Sequence, residues 1–293
     1  MSTIQKSLQL LLCAMFLISS AIAETFPKAN VEDSFDNSSE SSSEKINITS
    51  LETAAPCKGP FQGKQLTQLE VDKILAAHTE WLKTLPKNLS TEEPGRANFC
   101  GAKLDGINFK GRDLRKAIFN ATSLSKSNFE NADATGATFL AANLSNAQFT
   151  NAQLSGVNLQ LAWLINTNFN KAKLNGSILK NVWARKANFK QASLVGIQAG
   201  GAQFNGADLS QADLQRADLN NANFKRVDLR NANMSYANIS GTDFEKATLA
   251  YAKMDFAQVN EATRIDRADI KGVDLSTVDK TLIRLPQQSK LTR

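Results

Sequence analysis

"GADLSQADLQRADLNNANFKRVDL", residues 206–229, repeats one short phrase: a small residue, then Asp or Asn, then Leu or Phe, then two variable polar positions. The phrase is not confined to this stretch. Large residues fall at positions 99, 104, 109 and every fifth residue onward to 259, thirty-three positions without a slip. Thirty of these are Phe, Leu, Met, Ile or Val, and the exceptions are Ala134, Ala184 and Ala199. Two residues before each large position stands a small or β-branched residue, usually alanine.

A period of five matches neither the 3.6 of a helix nor the 2 of an alternating strand. In an extended segment, a large residue and the residue two before it share one side. The three residues between successive pairs must then turn a corner so that the next pair also points inward. A chain that turns the same way every five residues winds into a coil, and stacked coils pair like parallel strands about 4.8 Å apart. Large residues fill the axis, alanines narrow the wall, and polar side chains face water. Internal repetition of this kind is the signature of a solenoid.

"ANLSNAQFTNAQLSGVNL" (142–159) and "ADLSQADLQRADLNNANF" (207–224) resemble the pentapeptide repeat family, A-(D/N)-L-x-x, over about two-thirds of the chain. The resemblance implies an all-β fold, a right-handed quadrilateral β-helix with four repeats to a coil. Thirty-three repeats then make about eight coils, a rod about 40 Å long at the strand spacing. The segment "AAHTEWL" at 76–82 resembles a helix that precedes the repeats in some members.

Around the repeats the chain divides further. Lys6, the apolar run "LQLLLCAMFLISS" and the small residues "AIA" at 21–23 read as an export signal cleaved after Ala23. An uncleaved N-terminal anchor is the alternative. Export places the protein in the periplasm or outside the cell, with no stable transmembrane segment after cleavage. Residues 24–55 are serine-rich and acidic and read as a linker too poor in apolar surface to order itself. Residues 56–95 form a helical N-terminal cap. Its helix covers 67–85, opened by a Thr67/Glu70 capping box, with Pro86 just beyond its end. Val71, Ile74, Leu75, His78, Trp81, Leu82 and Leu85 share one face of that helix, so the chain's single histidine reads as a partly buried, satisfied residue. Residues 96–278 form the β-helix and 279–293 a C-terminal tail or cap. The register restarts one residue late after Val259, with Ile265, Ile270 and Leu275 at the large positions, which predicts a local bulge. With Cys13 removed by export, Cys57 and Cys100 remain as an even pair in a compartment that permits a disulfide. Two free thiols are the alternative.

Chemistry is sparse. One histidine and three cysteines count against metal sites and against most nucleophilic enzymes, so no catalytic residue, metal or cofactor is expected. The acids at 208, 213, 218 and 228 invite a paired-carboxylate reading, but Asp and Asn at this spacing are explained by turn hydrogen bonds. Charge is more informative. The net charge is +10 over residues 96–293 and −5 over residues 24–55, and residues 134–207 contain no acid. The resemblance brings in a class that mimics DNA with an acidic rod and inhibits DNA gyrase; a basic, exported chain is disfavoured for that role, and no nucleic acid partner is expected.

If a coil holds twenty residues, Trp163 and Trp183 stack on adjacent coils at an outward position. Lys126, Lys186, Arg226 and Lys246 then align on the same side, with Arg185 and Lys225 beside them. Exposed aromatics next to cations compose a binding patch for a protein, an anionic glycan or an envelope surface. A solvated face on which the two tryptophans cover small neighbours is the alternative. The sequence therefore points to a non-enzymatic extracytoplasmic scaffold or interaction module, monomeric or an end-to-end homodimer. A secreted effector acting on a host or competitor is the second reading.

Overall fold

The computed structural model describes residue 57, residues 59–84 and residues 93–283. Residues 1–56, on which the expected export signal and acidic linker fall, Leu85, Pro86 and the last ten residues lie outside the described residues.

From Asn98 to Gln258 each bridged residue pairs in parallel with the residue twenty further on, in four interleaved columns. The coil thus has four sides of five residues. We number the sides in chain order: side 1 begins with Phe99, side 2 with Leu104, side 3 with Phe109 and side 4 with Leu114. Each side is one short extended segment whose first and third residues are buried, such as Ala97 and Phe99, while the bridged residue between them points outward. The inward positions expected from the repeat are the ones that build the core, and Ala134, Ala184 and Ala199 are fully buried there too.

The axis is a ladder of rings. Phe119 and Phe139 on side 1 stack at 4.8 Å, Phe129 and Phe149 on side 3 at 4.4 Å, and the two columns meet edge to face at 5.9–6.2 Å. Offset stacking within a column and edge contacts across it suit the ring quadrupole. Where a small hydroxyl residue replaces alanine, its Oγ finds a carbonyl one coil below: Thr122 donates to Phe99, Ser127 to Leu104 and Thr242 to Leu219, each at 2.8 Å.

Each corner is a four-residue turn closed by a bond such as Ala102 N–H to Phe99 O, 2.9 Å. Its third residue is left-handed, and many non-glycine side chains occupy that position, Asn131, Lys186 and Tyr236 among them. Asn tolerates this backbone well, whereas most other residues adopt it at some cost.

After Val259 the bridge step becomes twenty-one, Asp243 to Arg264 and Thr248 to Asp269. Asn260 is the added residue. Its Oδ1 accepts the Gly241 N–H at 2.8 Å, which ties the bulge to the coil below, and its backbone carbonyl accepts from the Thr263 N–H at 2.9 Å, which closes the turn. Beyond it, Val278 and Ile283 rejoin the core, flanking a 3₁₀ turn at Lys280–Leu282.

At the other end, α1 spans Gln68–Lys83, with Thr67 as its N-cap and the Thr67/Glu70 capping box in place. Val71 and Leu75 are buried in the same cluster as Phe99 and Leu104. The strand edges of the first coil are also met in turn. On side 2, Gln65 pairs with Lys103. On side 3, the Gln68 side chain donates to Asn108 O at 3.1 Å and accepts from Asn108 N–H at 2.9 Å. Between sides 4 and 1, His78 Nδ1 accepts the Ala97 N–H at 3.1 Å and Nε2 lies 3.1 Å from Arg115 O. An open coil end would otherwise leave these groups unpaired.

Cys57 and Cys100 are joined in the structure, with Cα atoms 5.8 Å apart. Gly59 packs closely on the first corner: a Cβ added to it would fall 2.7 Å from Cys100 Cβ.

Candidate functional site

The row of carboxylates resolves into corner chemistry. Oδ1 of Asp208 accepts the Ser210 N–H at 2.8 Å, Asp213 that of Gln215 at 3.2 Å, Asp218 that of Asn220 at 3.3 Å and Asp228 that of Arg230 at 3.0 Å. The same bond, side chain to the N–H two residues on, recurs from Asn98 to Asp279. Asp208, Asp213 and Asp218 lie on three different sides of the rod, and Asp208 and Asp228, bridged neighbours on side 3, share the Arg230 guanidinium's field. Asp228 also binds the Arg230 guanidinium, which holds its carboxyl below the usual range. Among the described residues no group of three His, Cys, Asp or Glu side chains is placed to hold a metal ion.

His78 is wholly buried rather than partly so. It stacks on Trp81 at 5.3 Å, and Arg96 lies over the other ring of that pair, 5.7 Å from the Trp81 centroid. Its two hydrogen bonds require one ring nitrogen to accept and the other to donate, which is the neutral imidazole with the proton on Nε2. Burial pushes its pKa down, and Arg96 and Arg115 push the same way against Asp113 and the Arg115 carbonyl. Every ring nitrogen is thus committed to the fold.

The tryptophans stand where the twenty-residue ruler puts them. Trp163 and Trp183 are bridged neighbours on side 2, ring centroids 6.4 Å apart and tilted by 38°. Trp163 is half-buried and Trp183 is 38% exposed. Arg185 and Lys186 follow Trp183 around the next corner, with Lys186 exposed at the left-handed position. Lys126, three coils lower, and Arg226, two coils higher, share that corner column and are exposed. The column is not continuous in charge, because Asn146, Asn166 and Gly206 occupy the steps between.

The structure separates these cations into two groups. Lys225 contacts Asp243 at 3.3 Å and Glu245 at 3.4 Å, Lys246 lies 3.7 Å from Glu245, and Arg264 completes the network at 3.2 Å from Asp243. These charges neutralise one another. Among the described residues no acid pairs with Lys126, Arg185 or Lys186. All six cations of the acid-free stretch, Lys171, Lys173, Lys180, Arg185, Lys186 and Lys190, fall on one coil, residues 171–190, which is the coil of Trp183. The basic feature is therefore a girdle with an aromatic step on one side.

A second aromatic feature lies near the far end. Tyr236 and Phe256 stack at 5.1 Å and are 52% and 53% exposed, and Lys271 lies over Tyr251 at 5.8 Å. All three rings project from left-handed corners. Sequence reasoning passed over them, although Tyr236 and Phe256 are twenty residues apart and the ruler that paired the tryptophans would have paired them.

Fold and surface together define a solenoid whose regular grammar is structural and whose outward residues vary. The sequence matches the family described as pentapeptide repeats in eight copies spanning residues 95–263, and the chain belongs to that family. Its fold is the right-handed quadrilateral β-helix, and its members are generally structural or interaction modules rather than enzymes. No curated protein matches this sequence. Similar solved structures include HetL, a pentapeptide repeat protein involved in heterocyst differentiation regulation from the cyanobacterium Nostoc; it is 25% identical, over 67% of this chain and 90% of that one, with TM-score 0.44. A pentapeptide repeat protein from the Arabidopsis thaliana thylakoid lumen is 29% identical over 32% of this chain and 66% of that one, TM-score 0.32. QnrB1, a plasmid-mediated fluoroquinolone resistance protein, is 17% identical over 63% and 91%, TM-score 0.39.

Proposed function

We propose that this protein is a non-enzymatic scaffold of the extracytoplasmic space whose rod presents Trp163, Trp183, Arg185 and Lys186 to a protein partner. One observation carries the reading. An exposed tryptophan stands on the one coil that gathers six cations in a 74-residue stretch without acid. A solvated wall needs neither feature, since Asn, Gln and Ser serve the same outward positions on neighbouring coils. Partly desolvated tryptophan and arginine are the residue types that carry most of the energy of protein interfaces.

α1 and the Cys57–Cys100 link serve as the cap in this account, closing one end of the rod against edge pairing and leaving the sides as the working surface. Export follows from the first 23 residues, with the rod reaching the periplasm or the medium. Cell fractionation tests the location: protein confined to the cytoplasm would refute it. Affinity capture from native envelope tests the site. The tagged wild-type rod should retain a partner that the Trp163→Ala, Trp183→Ala variant loses, and equal capture by both would refute the assignment.

A further inference from the structure

We infer that the chain's own acidic segment, residues 31–44, docks on the Trp183 side of the rod and occupies the surface that a partner would use. This rests on reading that side as a docking surface. The complementarity is of charge and of ring. Residues 29–44 contain five acids and no base, Glu32, Asp33, Asp36, Glu40 and Glu44, with Phe35 set among the first three. The Trp183 side offers the converse: Lys180, Arg185 and Lys186 at its two corners, a coil without acid and a tryptophan step.

The point of attachment favours the same side. The segment is joined to the rod through Cys57, which is linked to Cys100 at the corner between sides 1 and 2. The following residues continue onto side 2 itself, where Gln65 pairs with Lys103 at the foot of the column that contains the tryptophans. From Lys103 that column climbs through Ser123, Asn143 and Trp163 to Trp183, four steps or about 19 Å at the strand spacing. Phe35 precedes Cys57 by 22 residues, and a chain of that length reaches at most about 73–79 Å. The attachment is therefore long enough to bring Phe35 to Trp183, and it makes that encounter intramolecular.

Zero-length carbodiimide coupling on the full chain tests this, since it joins a carboxylate to a lysine amine only where the two touch. The expected products link Glu32, Asp33, Asp36, Glu40 or Glu44 to Lys186, at least fivefold more often than to Lys280 at the far end. Their yield should be independent of protein concentration, and should fall at least fivefold between 0.01 M and 1 M salt as the Debye length shrinks from about 30 Å to 3 Å. The Phe35→Ala variant and the Trp163→Ala, Trp183→Ala variant should each lower the Lys186 product at least threefold with the rod's circular dichroism unchanged. Products spread evenly over the lysines, or a Lys186 product insensitive to salt and to both variants, would overturn the inference. So would products that form only between isotopically distinct copies. This outcome is separable from that of the partner assignment: loss of partner capture without Lys186 coupling leaves the assignment standing and removes the inference, and the converse does the reverse.

Discussion

His78 makes a pH-sensitive joint between α1 and the first coil. It is the only histidine in the chain, it is fully buried, and its neutral form alone satisfies both Ala97 N–H and Arg115 O. Desolvation lowers its pKa in the fold, with Arg96 and Arg115 assisting and Asp113 opposing. In the unfolded chain the ring titrates near 6.5. Above that pH both states are neutral and the contribution is fully present. Below it the unfolded state binds a proton that the folded state refuses, so stability falls with pH until the folded pKa is reached, by at most about 1.4 kcal/mol per pH unit. The carboxylates with depressed pKa values, Asp113 and Asp228 among them, act in a separate window. Their contribution is present above about pH 4 and lost below it. Between pH 6.5 and 5 the histidine therefore acts alone. Because a solenoid opens locally, the assay is amide exchange of residues 68–83 against residues 140–240, corrected for intrinsic rates. Protection of α1 should fall up to about tenfold per pH unit below 6.5 while the coils hold steady, and His78→Gln should remove the pH dependence. Pulling α1 off the rod with the same pH profile in His78→Gln would refute the reasoning.

Phe139 is fully buried and stacks on Phe119 at 4.8 Å, so Phe139→Ala should cost about 3–5 kcal/mol in chemical denaturation. Asp208 accepts one corner N–H; Asp208→Ala should cost about 0.5–1.5 kcal/mol and Asp208→Asn much less, because the amide oxygen still accepts. A larger loss for Asn than for Ala would mean that the charge, not the turn bond, matters there. The Cys57–Cys100 link closes a separation of 43 residues, so Cys57→Ser should lower stability by up to about 3–4 kcal/mol, read as earlier exposure of α1 in a urea titration. Cleavage at residues 60–84 by protease should rise in step.

The rod, its core and its cap helix were legible because they follow from local rules. Period five sets the corner, the inward pair at Ala97 and Phe99 follows from strand geometry, and the capping box at Thr67 needs only four residues. Even the bulge at Asn260 showed as a one-residue delay. The edge pairing by Gln68 and His78 was not legible, because it depends on how α1 lies across the coil. Nor could twenty-residue arithmetic separate Lys186 from Lys225 and Lys246. Side-chain direction decides that, and the inserted Asn260 shifts Arg264 into the bridge with Asp243. Two of the six cations read from the sequence, Lys225 and Lys246, are thus neutralised, and the girdle at 171–190 remains.

The central claim is that partner recognition resides on the tryptophan side. The direct measurement is the equilibrium affinity of a partner captured from native envelope for three rods: wild type, Trp163→Ala with Trp183→Ala, and Tyr236→Ala with Phe256→Ala. Loss of the tryptophans should weaken binding at least 30-fold, the equivalent of a hot spot of about 2 kcal/mol. The tyrosine–phenylalanine variant should bind within threefold of wild type. Unchanged binding by the tryptophan variant, or an equal loss in both, would contradict the account.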